Sequence, residues 1–416
     1  MRFATLQEAL EVVRPGNHIL LHSACAEPQT LVEGLVEEVR AGEPHLQNLT
    51  LYALTYRGAG APTPAYAEPE LLRSGRLRLR SFFPHPALKE ASRAGLVDYI
   101  PANFSTLPGL IRSGFIRPDC AFVQVTPPNE QGQCSFGPAA DLIPALLEAH
   151  IPLIAEMNRQ MPFVAGPLVP LEKFAAIVES NRPLLEVPSL KVGEIERKVA
   201  ANVAELVKNG ATVQLGVGTI PEAVMEFLRE KRDLSLHGGA LADGVVDLLQ
   251  SGAVTNARKP FDKGRTVSAL LISTRCLFDY AHNNPAIELQ GIDRCNSPIQ
   301  IARIPDFVSI NSALEVDYWG QVNAEALGDW QLAGIGGQLD YVTGAWYSPG
   351  GISIIALPSV TPSGKARIVP RLPAGAPVST PRQLAQIVVT EKGVADLRGK
   401  SLSERERLLR SISQQA

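Results

Sequence analysis

The sequence predicts an α/β protein of two domains with related topology, each built on a mainly parallel sheet flanked by helices. Three observations carry that reading. A chain of 416 residues has room for two cores. Short apolar strands alternate with amphipathic helices along its length. The order of elements from Leu6 to Leu35 recurs around Val203 to Leu228.

Taken in order, MRFATLQEALEVVRPG reads as an amphipathic helix whose two acidic residues distinguish it from a secretory signal. Pro15-Gly16 ends it, and His18 to Leu21 reads as a strand. A turn of small residues, Ser23 to Glu27, then leads through Pro28 into a helix. In the second half a helix from Ile195 to Lys208 precedes Gly210 and a strand carrying Val213, Leu215 and Val217. The turn Gly216-Val217-Gly218-Thr219 follows, with Pro221 at the first helical position of a helix bearing Val224, Phe227 and Leu228. Superposing Pro28 on Pro221 pairs Leu31 with Val224 and Leu35 with Leu228, and brings Leu21 to Leu215-Gly216. The next strands, Leu49 to Tyr52 and Leu234 to Leu236, match in kind. The expected domains are 1–185 and 190–416, joined where LEVPSL breaks the pattern. Further strands are expected at Val123 to Val125, Ile154 to Asn158, Val308 to Asp317 (one alternating run) and Ile352 to Leu357.

Composition narrows the function classes. A net charge of −3 with 19% charged residues supplies neither a basic field for nucleic acid nor an acidic tail. No apolar run reaches the length of a membrane span. The five cysteines are odd in number and scattered, which points to reduced thiols in a cytoplasm and not to a disulfide framework or a metal site.

Two stretches have the chemistry of a ligand site. A strand that ends in a glycine turn and enters a helix N-terminus can hold an anion, because glycines admit close approach and the free amides favour negative charge. Ala211 to Ile220 has that form. The strand Leu234 to Leu236 runs into His237-Gly238-Gly239, with Asp243-Gly244 behind it. If the two strands are parallel neighbours, their carboxyl ends open on one crevice. The same pattern also serves as a plain strand–helix connection.

The runs QVTPPNEQGQCSFG, AEMNRQMP, LGVGTIPEAV, ADGVVDL, GAVTNARK, SINSALEVDYWGQV, GIGGQLDYVTGA and VVTEKGVADLRGK occur in this order over most of the chain. Together they resemble the acetyl-CoA hydrolase/transferase family of class I CoA-transferases, and most of all its 4-hydroxybutyrate CoA-transferase branch. The resemblance implies a homodimer or larger homo-oligomer that moves coenzyme A from an acyl-CoA to a small carboxylic acid, with CoA as substrate and no resident cofactor. In that family a glutamate carboxylate attacks the thioester and becomes a glutamyl–CoA thioester, dividing one hard transfer into two easier ones. Position by position, the CoA-binding turn falls on Gly216, Val217, Gly218, Thr219 and Ile220, with later contacts at Asn311, Ala313, Gly336 and Gly337. A polar contact to the thioester oxygen falls on Asn296.

The family glutamate position is occupied by Gly239, and neither Asp233 nor Asp243 replaces it. Three readings stay open. Glu27, in the turn that superposition makes equivalent, carries the covalent step and faces the interdomain cleft. Alternatively the acceptor carboxylate or water attacks directly, or the chain binds CoA without catalysis. A thioester hydrolase is the enzymatic alternative to a transferase, with a four- to five-carbon acid (hydroxy acid, butyrate-like or dicarboxylate) as substrate. Each residue also has a plain role: Glu27 as a helix-dipole partner, His237 as a hydrogen-bonded structural histidine, Cys25 as packing, and Gly336-Gly337 as a tight hairpin.

Overall fold

The structure, a computed structural model, describes residues 3–54, 57, 61–328 and 330–414. Seven parallel strands form the first sheet: β1 His18–Leu21, β2 Leu49–Ala53, β3 Leu77–Ser81, β4 Val97–Tyr99, β5 Cys120–Val125, β6 Leu153–Asn158 and β7 Phe174–Ser180. Their order is β4-β3-β2-β1-β5-β6-β7. The second sheet has six: β8 Thr212–Leu215, β9 Ser235–Leu236, β10 Phe307–Ser312, β11 Ile352–Ala356, β12 Ile387–Thr390 and β13 Gly393–Asp396. Their order is β9-β8-β10-β11-β12-β13, and only β13 runs antiparallel. The series β2-β1-β5-β6-β7 therefore recurs as β9-β8-β10-β11-β12. Helices cover both faces of such sheets, which is why β5 and β6 are buried at every residue and read as nearly unbroken apolar runs.

The helices include α1 Leu6–Leu10, α2 Gln29–Ala41, α3 Glu194–Leu206, α4 Thr219–Leu228, α5 Gly244–Gln250 and α6 Gln338–Tyr347. A capping box between Thr5 and Glu8 starts α1. The helix ends at Leu10, shorter than its amphipathic pattern suggests: beyond it the amides of Val12 and Val13 turn to Ala9 O and Leu10 O, and that of Arg14 donates to Asn17 Oδ1 at 2.8 Å; Met1 and Arg2 lie outside the described residues. α4 begins at Thr219, so Pro221 is third in the helix and not first. That position is harmless, because the first amides of a helix have no intrahelical acceptor. A 3₁₀ turn, Ala24–Ala26, separates β1 from α2 and has no counterpart between β8 and α4. The superposition of Pro28 on Pro221 is therefore out of step, and Glu27 has no equivalent in the second turn. The alternating run from Val308 breaks after Ser312, and Glu315–Asp317 leaves the sheet to pair with Ile368–Val369.

Residues 181–193 carry neither strand nor helix. One apolar core runs from Leu20 and Val125 in the first half to Val213, Ile310 and Val389 in the second, so the two sheets share an interior. Among the described residues no helix is long and apolar enough to cross a membrane.

Candidate active site

β8 and β9 are parallel neighbours, with Thr212 opposite Ser235 and Val213 opposite Leu236. Their carboxyl ends meet a cavity of about 290 Å³, the small end of the range for ligand pockets. Leu54, Phe83 and Phe104 border it from the first half of the chain; Gly216, Val217, Gly239, Asn296, Asn311, Gly336, Gly337 and Tyr341 border it from the second. Its described lining holds no charged side chain; the polar ones are Gln214, Asn296, Asn311, Ser312, Gln338 and Tyr341.

The structure thus brings seven of the residues singled out in the sequence to one cavity. Gly218, Thr219 and Ile220 form the cap and first turn of α4 directly beyond it. Gly218 sits at φ +140°, a backbone that only glycine adopts without strain, and no side chain caps the helix. α2 differs: Glu156 Oε2 accepts from the amides of Thr30 (2.7 Å) and Leu31 (3.3 Å), and Oε1 from the Thr30 hydroxyl (2.8 Å). Ala313 lies buried one residue past β10. Asn311 is tied down at the strand end, where its Nδ2 donates to Ser309 Oγ at 2.8 Å and to Gln214 Oε1 at 3.2 Å.

Three chain segments converge on Asn296. A Cβ at Gly239 would stand 3.0 Å from Asn296 Oδ1 and 3.4 Å from both Asn296 Nδ2 and Tyr341 Oη. One at Gly337 would overlap Asn296 Nδ2 outright. The amide therefore lies between two backbones that approach only because they lack side chains. Asn296 is 1% exposed; its Oδ1 accepts from Tyr341 Oη at 2.8 Å, and its Nδ2 is buried without a hydrogen-bond partner. Gly336-Gly337 is no hairpin: Gly336 (φ +62°) turns the chain so that Gly337 caps α6. As the third residue of that helix, Asp340 accepts from the Ser105 amide (3.0 Å) and hydroxyl (2.6 Å). Burial lifts its carboxyl to about 6, while Ser105 and the neighbouring Asn296 side chain hold it down.

The plain readings of Cys25 and His237 fit the geometry, and that of Glu27 does not. Cys25 is buried and its thiol is pushed up to about 12 by burial, so it is not a thiolate. Burial pulls His237 down to about 3, and its Nε2 donates to the Cys295 carbonyl at 2.9 Å. Glu27 is 4% exposed, ion-paired with Arg57, and accepts from Tyr66 Oη at 3.0 Å. Burial raises its pKa against the pull of Arg57 and Tyr66. It is not among the residues that border the cavity. The structure does not bring it to Gly239, and the helix-dipole role belongs to Glu156.

Tyr341, Phe83, Phe104, Gln214 and Gln338 were not singled out in the sequence. Tyr341 had a signal, since it stands four residues after Gly337 on a helix that Gly337 starts. The two phenylalanines had none, being contributed from the other half of the chain.

A doubly repeated parallel α/β unit, with glycine turns at the strand ends of the second sheet and the Asn296 amide beside them, is what the resemblance to the CoA-transferase class implies. Residues 1–187 match the acetyl-CoA hydrolase/transferase N-terminal domain and residues 274–415 the C-terminal domain of the same family. The chain belongs to the acetyl-CoA hydrolase/transferase family. It is similar to the 4-hydroxybutyrate coenzyme A transferase of Clostridium kluyveri, 36% identical over 414 residues that cover 99% of this chain and 94% of the relative. Among solved structures it is similar to RipA from Yersinia pestis, with a TM-score of 0.92 at 32% identity, covering 99% of this chain and 94% of that one. The 4-hydroxybutyrate CoA-transferase of Porphyromonas gingivalis matches with a TM-score of 0.81 at 34% identity and the same coverage, 99% and 94%.

Proposed function

We propose that this CoA-transferase moves coenzyme A from a short, uncharged acyl-CoA to a small monocarboxylic acid, and that the acceptor's own carboxylate makes the attack the family assigns to a glutamate. The observation that carries this is the unpartnered Nδ2 of Asn296 beside a side-chain-free Gly239, in a cavity whose described lining is uncharged. The acceptor carboxylate adds to the thioester carbonyl while Asn296 Nδ2 donates to the developing oxyanion. Collapse expels the CoA thiolate and leaves a mixed anhydride of the two acids. The thiolate then attacks the acceptor's carbonyl, releasing the donor as a free carboxylate and forming the new thioester. Atoms and charge balance without water or a resident cofactor. Apolar walls at Leu54, Phe83 and Phe104 favour an uncharged acyl chain, since a second carboxylate would lose its hydration without gaining a cation.

In this proposal the CoA arm runs along Gly216 to Ile220, Asn311 to Ala313 and Gly336-Gly337, with the domains divided as 1–185 and 190–416. The enzyme is a cytoplasmic homodimer or larger homo-oligomer; its five cysteines are unpaired. Initial rates measured against both substrates test the mechanism. Direct attack requires both substrates bound together and gives intersecting double-reciprocal lines, with negligible thioester loss when acceptor is omitted. Parallel lines, together with a hydroxylamine-releasable CoA adduct on the protein, would overturn it.

A further inference from the structure

The Asn296 amide is held by a relay that reaches it from two directions. Its backbone closes the helical turn Ile292–Cys295, with the Asn296 amide donating to Ile292 O at 2.9 Å. Its side chain meets the Tyr341 hydroxyl, which has one proton and two acceptors in reach: Asn296 Oδ1 at 2.8 Å and Cys295 O at 3.2 Å. The Cys295 carbonyl already receives His237 Nε2 at 2.9 Å. With that carbonyl served by the imidazole, the phenol proton is free for the nearer Oδ1. Oδ1 is then an acceptor in use, and Nδ2 is the donor left without a partner, packed against the Gly337 backbone. The rings pack in a row: His237 sits edge-on to Phe307 (75°, 6.2 Å) and Phe307 stacks on Tyr341 (4°, 6.3 Å).

We infer that Tyr341 and His237 are positioning residues that fix the orientation of the Asn296 amide, so that its N–H, and not its carbonyl, faces the reacting thioester. Resting on the proposed role of Asn296, the inference adds that the role depends on two residues, one on α6 and one at the end of β9. Without the relay the amide can turn over and present Oδ1 to the thioester oxygen, two acceptors facing each other. A donor left unpaired while the oxygen of the same amide is already engaged is what preorganised stabilisation of an oxyanion requires.

A double-substitution cycle tests this with acyl-CoA, acceptor acid and the full-length chain. Tyr341→Phe keeps the ring and removes the hydroxyl; kcat should fall by roughly tenfold to fiftyfold with KM for acyl-CoA within about twofold. In an Asn296→Ala background the same change should alter kcat by less than about twofold, since the residue it acts through is gone. Equal losses in both backgrounds would refute the relay and leave the role of Asn296 standing. An unaltered kcat in Asn296→Ala alone would refute the role of Asn296 and the relay with it. The second arm is independent of Tyr341: His237→Gln restores a donor at the Nε2 position and should keep kcat within about threefold, whereas His237→Leu should lose what Tyr341→Phe loses. Equal activity of His237→Gln and His237→Leu at matched thermal midpoints would also overturn the proposal.

Discussion

Gly337→Ala is the smallest change that should move the reacting centre. The added methyl would overlap Asn296 Nδ2 and stand 3.3 Å from Tyr341 Cε2 and 3.5 Å from Asn296 Cγ. The backbone gives no other reason for a penalty: Gly337 has φ −100° and ψ 0°, which alanine adopts. An ordinary carbon–nitrogen contact needs about 3.4 Å, so the amide must retreat by roughly 1 Å. A misplacement of that size at a catalytic group costs on the order of 100-fold in rate, or about 2.7 kcal/mol of barrier. Overpacking of this kind also lowers stability by about 1–3 kcal/mol. Steady-state CoA transfer and urea unfolding should therefore show a hundredfold loss in kcat in a protein that still folds. Gly109→Ala is the matched control: nothing lies within 4 Å of its added Cβ, and it should raise stability by about 0.4–1 kcal/mol with kcat unchanged. Full activity in Gly337→Ala would show that the position of the Asn296 amide does not matter to the chemistry.

Glu27→Gln should keep kcat within severalfold but cost about 2–3 kcal/mol in urea unfolding, because the Arg57 guanidinium loses its charge partner; a rate loss of several orders of magnitude, with CoA bound to the Glu27 peptide, would reinstate it as nucleophile. Gly218→Val should weaken CoA binding in a thermal-shift titration, through a strained φ of +140° and not through a clash, since the nearest atom to an added Cβ is Pro221 Cδ at 4.0 Å; undiminished binding would reduce that turn to a plain connection. Asp340 is raised from 3.8 to about 6, so the folded protein holds its proton longer than the unfolded chain, and stability should decline as pH rises from about 4 to about 6 by on the order of 3 kcal/mol. Asp340→Asn should remove that part of the slope, and an unchanged slope would refute the assignment. A thiol reagent should label one cysteine rapidly in the native protein, Cys276, the exposed one among five, and rapid labelling of Cys25 would contradict its burial.

The parts of this site that the sequence shows are those encoded within one element or one turn. The strand–glycine–helix passage at Ala211 to Leu228 is visible because apolar alternation, glycine and proline all lie within a few residues of each other. The continuation of β9 into His237-Gly238-Gly239 is visible for the same reason, as is the meeting of the two strand ends once they are taken as parallel. Asn296 and Gly336-Gly337 carry no local signal and enter only through family resemblance. What lies beyond both is the convergence of segments far apart in the chain. Tyr341 reaches Asn296 across 45 residues, His237 reaches Cys295 across 58, and Ser105 reaches Asp340 across 235. Such pairings follow from which strands neighbour which, and no periodicity within a window reports that. The mismatch between Pro28 and Pro221 has a similar origin: a three-residue 3₁₀ turn shifts the first helix relative to the second, and small residues such as Ala24, Cys25 and Ala26 do not announce it.

The recurrence of one strand order in both sheets poses the question why the glycine turns proposed to bind CoA gather on the second. The two helix N-termini answer it. Each follows the first strand of its unit, and each begins with amides that need an acceptor. At α2 the acceptor is built in: Glu156, fully buried on β6, two strands along the sheet from β1, takes the amides of Thr30 and Leu31, the place where a helix N-terminus favours a carboxylate. Glu27, Arg57 and Tyr66 fill the space beside it, so that end of the first sheet is closed by its own side chains. At α4 no side chain caps the helix, the preceding residues are Gly216, Val217 and Gly218, and the adjoining strand ends in Gly238-Gly239. The second unit leaves empty the positions that the first fills, and an anionic thioester ligand or an acceptor carboxylate would complete it in the way Glu156 completes α2. Exchanging that asymmetry should exchange the behaviour: Glu156→Gln should destabilise the first half by weakening the cap of α2 without changing KM for acyl-CoA, whereas Gly216→Glu would put a carboxylate beside the α4 amides and compete with substrate. An increase in KM for acyl-CoA confined to Gly216→Glu is the expected result, and an equal increase in both would refute the division of roles between the two sheets.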